Sequence, residues 1–348
     1  MKLFKESIQE IKTLLDKPAN IVITTHVNPD GDAMGSSLGL YNYLKTYGHN
    51  ITVIAPNDYP DNLKWLRGSS KVLLFDTNVQ KADAALAAAE IIFCLDFNSL
   101  TRIDELGKKI GASKAVKFMV DHHPNPDQFA DYVLSEVTAS STCELIYDLI
   151  DMLGDADSIT KSIGEALFCG IMTDTGSFRF TSATAKTFEI AAALIKSGVD
   201  QSTIHENVME NFSESRLRLL GFAINEKLKV IEELSTVFIT LSAEELKRYN
   251  YKDGDTEGFV NYGLSIEGIK FAVIFKESEE NIRMSFRSKG DFPANEFAKA
   301  HFNGGGHKNA AGGRTEGSLD DAILHFLRVL PNYREQLKKE RETEKNEA

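Results

Sequence analysis

Carboxylates and imidazoles collect at four places in the first half of the chain. "HVNPDGDAMGS" (residues 26–36) places His26, Asp30 and Asp32 within seven positions. "CLDFN" brings Asp96, "DHH" brings Asp121, His122 and His123, and "TDTGSF" brings Asp174. Oxygen ligands with a few imidazoles and no thiolate suit Mn²⁺ or Mg²⁺ better than structural zinc. Five carboxylates and three imidazoles exceed what one ion needs. Two ions sharing one bridging carboxylate fit that inventory. Such a pair, about 3.5–4 Å apart, activates a water and stabilises both oxygens of an in-line displacement at phosphorus. Any single Asp at a strand end is more often a turn or helix-cap residue. The four stretches in this order, each near an apolar run, are what point to a site.

For these groups to meet, the chain must bring them to one edge of a scaffold. "NIVITTH", "NITVIAP", "KVLLFD", "IIFCLDF" and "AVKFMVDHH" are mostly continuous apolar runs, as buried parallel strands are. Helical patterns lie between several of them, which predicts an open α/β sheet. The first three stretches directly follow or close a predicted strand, and the carboxyl ends of such strands line the ligand crevice. Longer helical patterns follow at 140–153, 160–173, 183–197 and about 200–229. From 235 the texture changes: "STVFITL", "FVNYGLSI", "KFAVIFKE" and "RMSFRSK" read as strands. Helical patterns over 293–302 and 318–330 flank "NGGGHKNAAGG". The expected fold class is α/β. A mainly parallel-sheet domain (1–199), a helical connector (200–229) and a smaller α+β domain (230–331) precede a charged tail (332–348), frayed or disordered.

The chain has 348 residues, 42% of them hydrophobic, and a net charge of −12. Residues 1–210 carry −10 of that charge, residues 211–331 carry −2 and the tail none. Long nucleic acids are held by basic surfaces that neutralise many phosphates, so no long nucleic acid is expected as partner. Divalent cations could neutralise the carboxylates and admit a small anionic substrate. No apolar run approaches the roughly 18–20 residues of a membrane span, and the N-terminus lacks a signal-peptide pattern. Cys94, Cys143 and Cys169 lack CxxC spacing, as expected of buried thiols in a reducing cytoplasm.

"HVNPDGDAMGS", "LDFN", "DHH" and "TDTGSF" resemble the four motifs of the DHH phosphoesterase superfamily, and "GGGHKNAAG" resembles the signature of the DHH-associated C-terminal domain. The resemblance spans roughly residues 15 to 330. Within the superfamily the layout is similar to the bifunctional oligoribonuclease and PAP phosphatase type. The resemblance implies a first metal held by His26, Asp30 and Asp96 and a second by Asp32, Asp96, His122 and Asp174, with Asp96 bridging. His123 would face the scissile phosphate, and Asp121 would orient a neighbouring imidazole. A metal-activated water would attack without a covalent enzyme intermediate. Gly304, Gly305, Gly306 and His307 would contact the phosphate or sugar, Arg283 would pair with a second phosphate, and the active site would lie in the interdomain cleft.

The expected activity is that of a Mn²⁺-dependent phosphoesterase with two ions, Mg²⁺ being the alternative. It would convert short RNA oligonucleotides to mononucleotides and 3′-phosphoadenosine 5′-phosphate (pAp) to AMP. Its partners would be short oligonucleotides or mononucleotide bisphosphates, with no membrane; a homodimer is compatible with the sequence. The rivals are a linear or cyclic dinucleotide phosphodiesterase, an exopolyphosphatase, a RecJ-like single-strand exonuclease, an inorganic pyrophosphatase and, outside enzymes, a nucleotide-binding protein. The last would require a lost ligand, and none is missing.

Overall fold

The apolar runs of the first half become parallel strands. The computed structural model describes residues 2–278 and 281–338, in two compact units that divide between Asn211 and Phe212. In the first unit the strands are β1 (Lys2–Leu3), β2 (Asn20–Thr24), β3 (Asn50–Ala55), β4 (Leu73–Leu74), β5 (Ile91–Leu95), β6 (Val116–Asp121) and β7 (Tyr132–Ser135). They lie in the order β1-β7-β6-β5-β2-β3-β4, and every neighbouring pair is parallel. The chain winds outward from β2 to β4, then returns to set β5 on the other flank of β2. That reversal is a topological switch point, where open α/β sheets place their crevice.

Helices cover both faces: α1 (Phe4–Leu15), α2 (Gly31–Leu44), α3 (Val79–Ala88), α4 (Asp104–Ala112), α5 (Thr142–Met152), α6 (Lys161–Asp174), α7 (Ala185–Lys196) and α8 (Gln201–Met209). Ile21, Ile23, Phe93 and Phe118 point to the core under α2, α5 and α6. Val22, Ile92 and Cys94 point to a second core under α3 and α4. Gly31, Gly35 and Gly39 recur every fourth residue and so form one stripe of α2. A methyl group there would collide with Thr173, with the Ala166 carbonyl, or with Leu167, all on α6. The stripe therefore lets the α2 and α6 backbones lie close together.

The second unit contains α9 (Glu214–Phe222), β8 (Leu228–Ile231), β9 (Thr236–Leu241), α10 (Ala243–Arg248), α11 (Phe259–Leu264), β10 (Phe271–Glu277), β11 (Ile282–Ser288), α12 (Ala294–His301), β12 (Gly305–His307), β13 (Ala310–Thr315) and α13 (Leu319–Val329). Its sheet runs β12-β13-β11-β10-β9-β8, with β9 and β10 parallel and the other pairs antiparallel. One face packs a phenylalanine core that includes Phe271, Phe275, Phe286, Phe297 and Phe326. The other packs Val237, Ile239, Ala272 and Ile274 beneath α11.

Several expectations are corrected. "FVNYGLSI" is not a strand but carries α11. The parallel pairing of β9 with β10 requires a crossover, and α10 and α11 supply it. "KVLLFD" contributes only the two-residue strand β4. The segment 200–229 is divided: α8 buries Ile204 and Val208 in the first unit, α9 buries Leu219 in the second, and β8 begins at Leu228. The tail does not begin at 332, because residues 334–338 are helical and Leu337 is buried in the phenylalanine core. Residues 339–348 lie outside the described residues. "GGGHKNAAGG" forms the β12–β13 hairpin.

Candidate active site

The first unit assembles its ionisable groups from the ends of β2, β5, β6 and α6. His26 follows β2, and its Nδ1 donates to the Val27 carbonyl at 2.9 Å. That bond turns Nε2 toward the carboxylates, 3.3 Å from Asp96 Oδ2 and 3.9 Å from Asp30 Oδ1. Asp30 is the N-cap of α2: its Oδ1 accepts from the Asp32 and Ala33 amides at 3.0 and 3.1 Å. Asp96 directly follows β5. Its amide donates to the Val120 carbonyl of β6 at 3.0 Å, and its φ of +64° turns the chain sharply there. Asp is one of the few side chains that tolerates this region.

The "DHH" triplet closes β6 and divides its work. Asp121 is fully buried; its carboxylate accepts from the His123 amide at 3.0 Å and lies 2.8 Å from His123 Nδ1. It therefore fixes the His123 ring. His122 Nδ1 lies 3.3 Å from the Ala139 carbonyl. Its Nε2 is 3.4 Å from Asp174, 3.7 Å from Asp96 and 3.9 Å from Asp32. Asp174 is the last residue of α6. The glycine stripe on α2 brings that helix end beside the first turn of α2, which carries Asp32.

The N-terminus of α5 completes the arrangement. Asp32 accepts from the Thr142 and Cys143 amides at 2.6 and 2.9 Å, and the Thr142 hydroxyl donates to Asp96 Oδ1 at 3.0 Å. A helix N-terminus favours negative charge. Ser141 caps α5 through the Glu144 amide, and buried Glu144 accepts from the Ser140 and Thr187 hydroxyls at 2.6 and 2.9 Å.

So many buried carboxylates perturb one another. Burial raises Asp32, and the charge of Asp96 adds to it, so that the group stands at about 7 despite the opposing pull of His122. Burial and Asp32 likewise raise Asp174. Burial would lower His26, but the hydrogen bond to Asp96 and the charges of Asp30 and Asp96 outweigh it and hold the ring at about 9. His122 is held at about 9 against burial by Asp174, Asp96 and Asp32. Burial opposes the charge on Asp96, yet the hydrogen bond from His26 and the three imidazoles keep it below the usual carboxylate range. The cluster therefore retains protons at neutral pH where a cation would replace them. His26, Asp30 and Asp96 offer ligand atoms within 4.8 Å of one another, as do Asp32, His122 and Asp174. Oxygen-rich donors with imidazoles whose Nδ1 is already engaged fit divalent cations.

In the second unit, Arg283 lies on β11 and is exposed. Gly304 packs against the Gly312 carbonyl, where no side chain could stand, and Gly306 has a φ of +136°. His307 ends β12.

Comparison with known proteins places this chain. A model of the DHH family N-terminal domain matches residues 20–171, and one of the DHHA1 domain matches 235–331. The bifunctional oligoribonuclease and PAP phosphatase NrnA of Thermus thermophilus is 30% identical over 95% of this chain and 93% of its own. The chain belongs to the DHH phosphoesterase family. A DHH-family relative of the same description from Bacillus subtilis is 30% identical over 89% of this chain and 94% of its own. The crystal structure of an exopolyphosphatase-related protein from Bacteroides fragilis is 41% identical, with a TM-score of 0.92 over 96% of this chain and 98% of that one. Among the described residues of this DHH protein, no helix is long and apolar enough to cross a membrane.

The sequence reading did not assign Thr142, Cys143 or Glu144 to the site. The signal was present, since "STCE" is an Ser-x-x-Glu capping pattern ahead of an apolar helix. Nothing in it says that the capped helix would in turn hold Asp32 and Asp96.

Proposed function

We propose that this protein hydrolyses short RNA oligonucleotides to mononucleotides and pAp to AMP, using two Mn²⁺ ions, with Mg²⁺ as the alternative. The observation that carries this reading is the convergence of His26, Asp30, Asp32, Asp96, His122 and Asp174 at the carboxyl edge of a parallel sheet. The names borne by the relatives from Thermus and Bacillus support the choice of substrates. His26, Asp30 and Asp96 would hold one ion, and Asp32, Asp96, His122 and Asp174 the other. When bound, the ions supply an activated water and neutralise charge on the phosphoryl oxygens.

The chain's own residues do the rest. Asp30 and Asp32 are fixed by the N-termini of α2 and α5, so their oxygens need no reorganisation when a cation arrives. Thr142 restrains Asp96, the carboxylate that both ions would share. Asp121 orients His123, which faces the scissile phosphate and donates to its oxygen. The P–O bond to the leaving sugar oxygen breaks as the P–O bond to water forms. Arg283, His307 and Gly304–Gly306 would bind the rest of the nucleotide. Substrates of this kind place the reaction in the cytoplasm.

The test is purified protein with Mn²⁺ against pAp, a dinucleotide, an RNA of about 24 nucleotides, pyrophosphate and inorganic polyphosphate. The polyphosphate arm answers the name of the Bacteroides protein. Hydrolysis of pAp and the dinucleotide in preference to the others is expected. Preference for polyphosphate or for the long RNA would overturn the assignment.

A further inference from the structure

Glu144 is a buried carboxylate that no proposed step uses. The Ser-x-x-Glu pattern of α5 predicts that it reaches back to the amide of the capping residue, Ser141. It reaches elsewhere. Its Oε2 accepts from the Ser140 amide at 3.3 Å, the Ser140 hydroxyl at 2.6 Å and the Thr187 hydroxyl at 2.9 Å. Its Oε1 lies 3.5 Å from the Lys186 ammonium. One carboxylate therefore joins the segment ahead of α5 to the first turn of α7. Ser140 and Thr187 are themselves buried, and taking an acceptor away from buried donors is costly.

The ionisable cluster lies on both sides of that junction. On one side, the Ala139 carbonyl stands 3.3 Å from His122 Nδ1, the Thr142 and Cys143 amides donate to Asp32, and the Thr142 hydroxyl donates to Asp96. Residues 139–143 thus bracket three of the four groups assigned to one ion. The fourth, Asp174, ends α6. Beyond it the chain turns through Gly176, Ser177 and Phe178, with φ of +56°, +61° and +62°, before α7 begins at Ala185. Positive φ is uncommon outside glycine, and such a turn persists only where its surroundings hold it. Glu144 fastens the far end of that turn, at Lys186 and Thr187, to the bracket. His26 and Asp30 are held elsewhere, by the Val27 carbonyl and by the amides of α2.

We propose that Glu144 is a positioning residue for the ion assigned to Asp32, Asp96, His122 and Asp174. By holding residues 139–143 against α7, it sets the spacing of those four groups before a cation arrives. It is not itself a ligand. This rests on the two-metal reading above and adds an asymmetry to it: one ion depends on a carboxylate outside its own ligand set, and the other does not.

The experiment is calorimetric titration with Mn²⁺ of the wild type, Glu144→Ala, Glu144→Gln and Ser140→Ala. Glutamine keeps an oxygen for Ser140 and Thr187 and gives up only the pairing with Lys186, which is half exposed and so worth little. Glu144→Ala should weaken one Mn²⁺ by about ten- to a hundredfold and the other by less than about threefold, and Glu144→Gln should restore both. The weakened ion should be the one that Asp174→Asn also weakens, since Asp174 is assigned to that ion alone. Ser140→Ala keeps the carboxylate and should weaken the same ion several-fold, which preserves the test if Glu144→Ala does not fold. Unchanged binding in the alanine variants, equal weakening of both ions, or a loss that glutamine does not reverse would overturn the role. If the wild type binds no Mn²⁺, the two-metal reading fails. The fastening of residues 139–143 is then judged by hydrogen exchange at the Thr142 and Cys143 amides, which Asp32 holds. Faster exchange in the alanine variants that glutamine reverses supports it, and unchanged exchange overturns it.

Discussion

The two units handle charge in opposite ways. In the first, carboxylates are held by backbone amides: exposed Asp30 by its own helix, buried Asp32 by the amides of Thr142 and Cys143, buried Asp121 by the His123 amide. In the second, Arg283 and Arg314 stand exposed at the ends of long side chains on β11 and β13. Short, anchored carboxylates hold a fixed geometry and suffer when their counter-charge is missing. Long, solvated cations adapt to different anions and lose little when empty. The contrast separates a centre that must be exact in position from a surface that need only attract.

The largest effect should come from the anchored side. Asp96→Ala removes the carboxylate proposed to be shared by the two ions. Activity should fall by about a thousandfold or more, and calorimetric titration should find fewer than two Mn²⁺ per chain. Full activity would show that Asp96 is misassigned. Next comes His123→Ala, which should keep both metals yet lower kcat by about a hundredfold.

Thr142 tests whether anchoring itself matters. Thr142→Val keeps the shape and the α5 amides but removes the bond to Asp96. Mn²⁺ affinity should drop by about ten- to a hundredfold, and Thr142→Ser should restore it. Unchanged affinity in the valine variant would mean that the Thr142 hydroxyl does not restrain Asp96. On the adaptable side the expectation is smaller. Arg283→Ala should raise KM for pAp roughly tenfold with little change in kcat. A loss confined to kcat would refute its role in binding.

Removing the metal should expose the buried side's weakness to pH. Asp32, at about 7 rather than near 3.8, holds a proton that the unfolded chain has released, so its contribution to stability is lost as pH rises from 4 through 7. His26, raised from 6.5 to about 9, stabilises below 6.5 and loses that contribution as pH rises through 9. Both act in one direction, and a cation removes both. The rise in melting temperature on adding Mn²⁺ to metal-free protein should therefore be larger at pH 8 than at pH 5, by about 5 °C. An equal rise at both pH values would count against a metal centre built on these groups.

Legibility in the sequence follows the same divide. Ligand-type residues beside "NIVITT", "IIFCL" and "VKFMV" were readable because buried parallel strands are continuous apolar runs and their ends are punctuated. The two-residue strand β1 was not, since so short a segment has no period, and β4 was read too long, as the whole of "KVLLFD". "FVNYGLSI" misled because a short apolar run reads alike as strand or helix; the parallel β9–β10 pair decided it. The role of Thr142 was hidden for another reason. A capping pattern predicts where a helix begins, not which distant carboxylate its amides will meet.

The glycine stripe of α2 has one more consequence. Asp32 rides on α2 and Asp174 on α6, and what separates the two helices is the absence of methyl groups at Gly31, Gly35 and Gly39. The helix contact is in effect a spacer gauge for the proposed metal centre. Adding one carbon at Gly35, remote from any reacting atom, would widen the gap between donors on the two helices. In a protein loaded with two Mn²⁺ ions, that widening would be legible as weaker magnetic exchange between them.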